Sequence, residues 1–202
     1  MAALSQRKVQ TKEKVTKKQF KAYPLGYFHI DIAELQTAQG KLYLFLAIDR
    51  ISKFCLTKLY EFASKSAAVG FLEDLIAFVP YKIHKILTDN GMQFTNRKEG
   101  ELALEHMFDR ICQQGRTQVA HPWTNGEVER MNRTIIKQAT VQSYYYSTHQ
   151  QLESHLNGFL LAYNFARRLK GKTTWQFIEE QWGKNPHLFY QNINTFTKGL
   201  NI

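Results

Sequence analysis

Cysteine and proline are scarce in this chain, at two and four among 202 residues. Cys55 and Cys112 stand too far apart for a paired metal knuckle and are too few for a disulfide framework, which suits a reducing compartment. No stretch approaches the ~20 consecutive apolar residues that a bilayer span requires. The amino end carries cations but no apolar h-region. Secretion and membrane insertion are therefore unsupported, and a cytoplasmic location is expected. Internal repeats and low-complexity tracts are absent, and the seven histidines show no H-E-x-x-H spacing.

Acidic residues are also in the minority, 17 against 27 lysines and arginines, for a formal net charge of +10. Such an excess favours polyanionic partners, nucleic acid above all. It is unevenly placed. Residues 1–22 hold seven cations (Arg7, Lys8, Lys12, Lys14, Lys17, Lys18, Lys21) and one acid, Glu13, leaving 20 cations against 16 acids in the rest. Two readings of this segment stand, a solvated tail or an arm that grips phosphates. With 44% hydrophobic residues the remainder can close one core. The expected organisation is a basic arm or linker over 1–24 and one domain over 25–202.

From Tyr27 to Ala33, Phe28, Ile30 and Ile32 alternate with Tyr27, His29, Asp31 and Ala33, which predicts a strand. Gly40-Lys41 reads as a turn. Leu42 to Ile48 is apolar on both faces, as in a strand covered by helices on each side, and 54–60 reads as a third strand. An antiparallel meander thus opens the fold. Ser64 can cap a helix whose apolar positions Ala68, Phe71, Leu72, Leu75, Ile76 and Val79 recur at three and four until Pro80. Ile83 to Thr88 reads as a fourth strand, 99–113 as a helix and 116–120 as a brief fifth strand. Helices are expected over about 126–146, 149–168 and 175–182, the last two opened by capping boxes of Thr148 with Gln151 and Thr173 with Gln176. The expected fold class is α/β, a mixed five-stranded sheet flanked by helices. That architecture implies no function by itself.

Five carboxylates fall in or beside strand ends or glycine-containing turns: Asp31, Asp49, Asp89, Glu127 and Glu129. A carboxylate mid-strand, as Asp31 is, costs several kcal/mol to bury unless something pairs with it. A metal ion would offset that cost. Asp89, ahead of Asn90-Gly91, has two readings: a turn residue, or, if its strand neighbours that of Asp31, the second ligand of a divalent-cation site. Glu127 and Glu129 lie ~200° apart on a helix, so only one can face a site. Glu129 borders the apolar stripe of Val128, Met131, Ile135 and Ala139, with Arg130, Arg133 and Lys137 continuing round the polar side. Glu127 reads as solvated. Asp49 reads as a turn residue that bonds the backbone donors of Arg50-Ile51-Ser52-Lys53.

Asp31, the segment Thr88-Asp89-Asn90-Gly91-Met92-Gln93-Phe94, and His121-Pro122-Trp123-Thr124-Asn125-Gly126-Glu127-Val128-Glu129-Arg130-Met131-Asn132-Arg133-Thr134 together resemble the catalytic core of the DDE transposases. More narrowly, they resemble bacterial insertion-sequence transposases related to retroviral integrases. The resemblance covers roughly residues 25–202, including Ile48 to Phe54 and Ala162 to Lys170. It implies a ribonuclease H-like fold and a catalytic, metal-binding triad of Asp31, Asp89 and Glu129. Glu129 is matched because the family's glutamate stands three residues after the glycine here numbered Gly126. The triad would bind two Mg²⁺ ions, for which Mn²⁺ can substitute. In such sites one ion activates the attacking oxygen and the other steadies the leaving oxygen of an in-line phosphoryl displacement. Hard oxygen ligands suit Mg²⁺, whereas a Cys/His set would select zinc.

The activity implied is metal-dependent DNA cleavage and strand transfer, attacked by water and by a DNA 3′-hydroxyl respectively. Arg130, Arg133 and Lys137 would contact DNA phosphates, with Asn125 and Gly126 in a mobile loop beside the scissile bond. Without the resemblance those cations read as a solvated helix face. The partners implied are DNA, as element ends and target, and further copies of the chain, in a bacterial cytoplasm and associated with the nucleoid. Three features depart from the family. Cys112 to His121 is a few residues short, Lys170 to Thr174 is likewise short with Thr174 where relatives commonly carry proline, and no helix-turn-helix region fits ahead of residue 25. These departures suggest a fragment or a decayed copy. The alternative function is thus a catalytically inactive, DNA-binding remnant, and a third is a ribonuclease H-type hydrolase of RNA–DNA hybrids.

Overall fold

A computed structural model describes residues 23–88, 118–120 and 146–195, with 118–120 as backbone only. Residues 1–22 of the expected basic arm, the helix expected over 99–113 with Cys112, and residues 126–145 of the helix expected over about 126–146 lie outside the described residues.

The alternating run extends further than its apolar half suggests, into an eleven-residue strand β1 (Tyr27–Thr37). A two-residue turn at Ala38-Gln39 joins it to β2 (Gly40–Asp49), so Gly40 opens the second strand and the turn lies just before it. β3 (Cys55–Tyr60) completes the antiparallel meander. Next comes α1 (Lys65–Phe78), whose first turn is closed by the Ser64 hydroxyl accepting from the Ala67 N–H at 3.1 Å. It supplies the crossover that a parallel strand pair requires. β4 (Lys85–Leu87) then lies parallel beside β1, and β5 (Gln118–Ala120) parallel beside β4. The sheet order is β3-β2-β1-β4-β5, with β1 at the centre, as a mixed five-stranded sheet demands.

Apolar residues on both sheet faces require two covering layers. On one face Phe28, Ile30, Phe45 and Ala47 pack with Ala68, Phe71, Leu72 and Leu75 of α1. Burying each of these large side chains stabilises the fold by roughly 1.5–3 kcal/mol. Ile76, expected in this stripe, is 38% exposed. The other face presents Leu35, Leu42, Leu44, Leu46 and Ile48 to α2 (His149–Leu161), through Leu152, Leu156 and Leu160. Both expected capping boxes form. Thr148 and Gln151 bond reciprocally at 3.2 and 3.3 Å, and Thr173 and Gln176 at 3.0 and 2.9 Å. No helix among the described residues is long and apolar enough to cross a membrane.

Several boundaries differ from expectation. The fourth strand keeps only Lys85–Leu87, and Tyr146, expected to end a helix, instead bridges Thr37. The helix expected to reach residue 168 ends in a π turn, Ala162–Ala166. The cause is Asn164. Its side chain donates to the Cys55 carbonyl at 2.8 Å and accepts the Cys55 N–H at 3.0 Å, pairing the outer edge of β3 as a neighbouring strand would. A short hairpin follows, β6 (Arg168–Leu169) and β7 (Lys172–Thr173), turned by Lys170 and Gly171 at φ 55° and 87°. That pair of positive angles is the twist-matched two-residue turn. α3 (Thr174–Lys184) completes the packing with Trp175 and Ile178.

Candidate functional site

Asp31 sits at the middle of β1, opposite Leu46 of β2, on the face shared by Tyr27, His29 and Ala33. It is half-buried, and its Oδ1 accepts the N–H of Ile32 at 2.9 Å. The condition attached to Asp89 in the sequence concerns neighbouring strands, and β1 and β4 are neighbours. Tyr27 pairs with Lys85, Phe28 with Ile86 and His29 with Leu87, in parallel register. Leu87 therefore shares the face of Asp31, while Thr88, which ends the described segment, is buried. Gly26, at φ +90°, sets this alignment. Its carbonyl accepts from the N–H groups of His84 and Lys85 at 2.8 and 3.2 Å, and an added Cβ would lie 2.0 Å from the Lys82 carbonyl oxygen.

Of the expected site residues, Asp31 alone is described. Asp89, Asn125, Gly126, Glu129, Arg130, Arg133 and Lys137 lie outside the described residues, as does Glu127. Among the described residues no three His, Cys, Asp or Glu side chains converge as a metal site. Asp31 fits a hard cation on its own terms, being a carboxylate that reaches partly into solvent from a rigid central strand. Asp49 takes the turn role read for it. It is buried, with Oδ1 accepting from Ile51 and Ser52 at 2.7 and 2.9 Å and Oδ2 from Gly26 at 2.7 Å.

His29 was not singled out in the sequence. It is 2% exposed, and neither ring nitrogen has a hydrogen-bond partner. Burial, and then the charges of Arg50 and Lys53, push its pKa down to about 4, so it is neutral at pH 7. The alternation that placed Asp31 on one face places His29 there too, and that signal could have found it. Beside it is a group that sequence spacing does not reveal. The Arg50 guanidinium lies 4.4 Å from the Tyr23 ring centroid and 5.7 Å from that of Tyr27, and the Lys85 ammonium lies 5.5 Å from the Tyr27 centroid.

Comparison with known proteins bears on this geometry. Residues 22–121 match the integrase core domain family. No curated protein matches the chain. Among solved structures, the catalytic core domain of HTLV-2 integrase in complex with magnesium is 20% identical, with 75% of this chain and 95% of that one covered and a TM-score of 0.57. The catalytic core domain of BIV integrase is 19% identical over 79% and 97% of the two chains, with a TM-score of 0.58. The expected ribonuclease H-like architecture is therefore present. Residues 22–121 are thus similar to the integrase core domain family, and the fold is similar to that of the retroviral integrase catalytic cores.

Proposed function

We propose that the chain is the catalytic core of a DDE-type transposase of the insertion-sequence kind, which cleaves DNA and transfers a strand with Asp31, Asp89 and Glu129 as its acidic triad. The observation that carries the reading is the register of β1 against β4. β4 runs parallel beside β1, with His29 level with Leu87, so the strand that carries Asp31 neighbours the strand after which Asp89 follows in the sequence. Neighbouring parallel strands are the condition for bringing two carboxylates from separate strands to one metal site. The His-Pro and Gly-x-x-Glu motif follows β5 in the sequence, and β5 lies parallel beside β4.

Asp31, Asp89 and Glu129 would hold the Mg²⁺ ions, and Mn²⁺ in their place. When bound, those ions supply the charge that activates an attacking oxygen and stabilises a leaving one. The chain's own part is to hold the scissile phosphodiester in line and to keep Asp31 rigid. The Ile32 N–H and the central position of β1 do the latter. Arg130, Arg133 and Lys137 would contact DNA phosphates beside the loop of Asn125 and Gly126, and further copies of the chain would join in synapsing two DNA ends. The segment from Lys170 to Thr174, short for the family, does not argue for a decayed fold. It closes a regular hairpin, and Thr174 stands at the first helical position, where proline is also at home, with its hydroxyl donating to the Asn164 carbonyl at 2.6 Å.

The test is cleavage of labelled element-end duplex DNA with Mg²⁺ or Mn²⁺. Nicking and strand transfer are expected from the wild type, and loss of both to background from Asp31→Asn, Asp89→Asn and Glu129→Gln. Persistent nicking in Asp89→Asn would refute the assignment. Salt-sensitive binding without metal-dependent cleavage would identify the inactive remnant instead.

A further inference from the structure

We propose that His29 is a positioning residue for the cation site at Asp31: its ring hydrogen-bonds to a water that the cation holds, and so tightens the binding of the cation. This role rests on reading Asp31 as a metal ligand, and it falls to a side chain that the reading so far leaves unused. The reason to look for one is a burial that the fold does not explain. His29 is 2% exposed, and neither Nδ1 nor Nε2 has a hydrogen-bond partner. A buried polar group left unsatisfied costs about 1–3 kcal/mol. Native structures keep few such groups, and catalytic sites are among the places where they do.

Packing does not select histidine at this position. In the row across the strands His29 stands between Ile48 of β2 and Leu87 of β4, both apolar and both buried. A leucine or phenylalanine there would meet the same neighbours without stranding a polar atom. Along β1 the ring lies 5.1 Å from that of Tyr27, tilted by 39°. Phenylalanine would make that aromatic contact as well. What histidine adds is hydrogen-bonding capacity, one donor and one acceptor in the neutral ring.

The next residue on the same face of β1 is Asp31, about 6.7 Å further along the strand. Mg²⁺ keeps several of its waters when a carboxylate binds it, each about 2.1 Å from the ion. A cation on the Asp31 carboxylate therefore brings a water within reach of the neighbouring ring. Asp31 is only half-buried, so the cation and its waters enter from that side, while the closure around His29 keeps bulk water from taking the same place. Hydrogen bonds from outside the coordination sphere orient what the metal holds, and losing one typically weakens metal affinity about 10–100-fold. The unsatisfied ring in the metal-free fold is then the cost of a site prepared for its cation.

The experiment makes two measurements on the full chain without DNA: Mn²⁺ binding, titrated through the electron paramagnetic resonance of the free ion, and urea unfolding in the absence of metal. His29→Phe should weaken Mn²⁺ binding about 10–100-fold, while its urea midpoint equals or exceeds that of the wild type. His29→Gln, which keeps a donor and an acceptor, should recover most of the affinity. If His29→Phe fails to fold, the smaller His29→Leu decides in its place. Wild-type affinity in the folded apolar variant would overturn the proposal. A midpoint lowered in both His29→Phe and His29→Leu would assign the ring to the fold and overturn it too. Asp31→Asn separates the two readings. If it binds Mn²⁺ as tightly as the wild type, Asp31 is no ligand and the role of His29 falls with it; if Asp31→Asn loses the ion while His29→Phe keeps it, the role of His29 falls alone.

Discussion

Asp49 meets its burial with backbone donors, three of them within 2.9 Å. Those bonds favour the carboxylate, but desolvation outweighs them and pushes its pKa up from 3.8 to about 6. The native pKa lies above the unfolded one, so folding favours the protonated form. The stabilisation is complete below the unfolded pKa of 3.8 and is lost as pH rises through about 6. The loss is on the order of 3 kcal/mol. Asp49→Asn removes this titration while keeping one acceptor oxygen for the turn. Urea unfolding of both proteins across the acid-to-neutral range should show the wild type losing ground to Asp49→Asn as pH rises. A difference that stays flat with pH would mean that the charged form costs nothing. Tyr81, whose buried phenol is pushed well above its ordinary pKa by desolvation and by Asp49, stays neutral throughout and does not enter the comparison.

Among the elements, the π turn at Ala162–Ala166 closes a problem that the meander leaves open. β3 is the outer strand of the sheet, and an unpaired edge in a buried setting strands its N–H and C=O groups. Asn164 satisfies both groups of Cys55 with one side chain, across 109 residues of sequence. Thr174 holds Asn164 from the other side through its carbonyl. Leaving a buried polar group unsatisfied costs about 1–3 kcal/mol. Asn164→Leu, which keeps the volume and removes both bonds, should therefore destabilise the fold by roughly 2–4 kcal/mol. Hydrogen exchange would locate the effect: the Cys55 amide should exchange faster, while amides at the centre of β1 keep their relative protection. Uniform acceleration along the sheet would mean that Asn164 acts on global packing and not on the edge.

At the scale of the whole molecule, what could be read from the sequence followed the range of the signal. Strand β2 and helix α1 were legible because Leu42 to Ile48 and Ala68 to Leu75 carry their burial in their own spacing. Both capping boxes span three residues, and both form. The hairpin at 168–173 was not legible, because two-residue strands have no period and only the Lys170-Gly171 turn marks them. Asp31 could be selected locally, but the pairing of its strand with β4 is a contact across more than fifty residues. The group around Arg50 joins partners that no spacing rule connects. Charge is legible at every distance, since it needs only counting. Seven of the 27 cations fall in residues 1–22, and the remainder of the chain is only weakly basic. If that segment grips phosphates, each contact contributes about 0.9 to the slope of log K against log salt in DNA binding. Replacing Lys14, Lys17, Lys18 and Lys21 together with glutamine should then lower the slope by about 3.6. The loss should be the same for unrelated DNA sequences, because phosphates carry no sequence information. A slope that does not move would assign the segment to solvent and leave the binding to the folded face that carries Asp31.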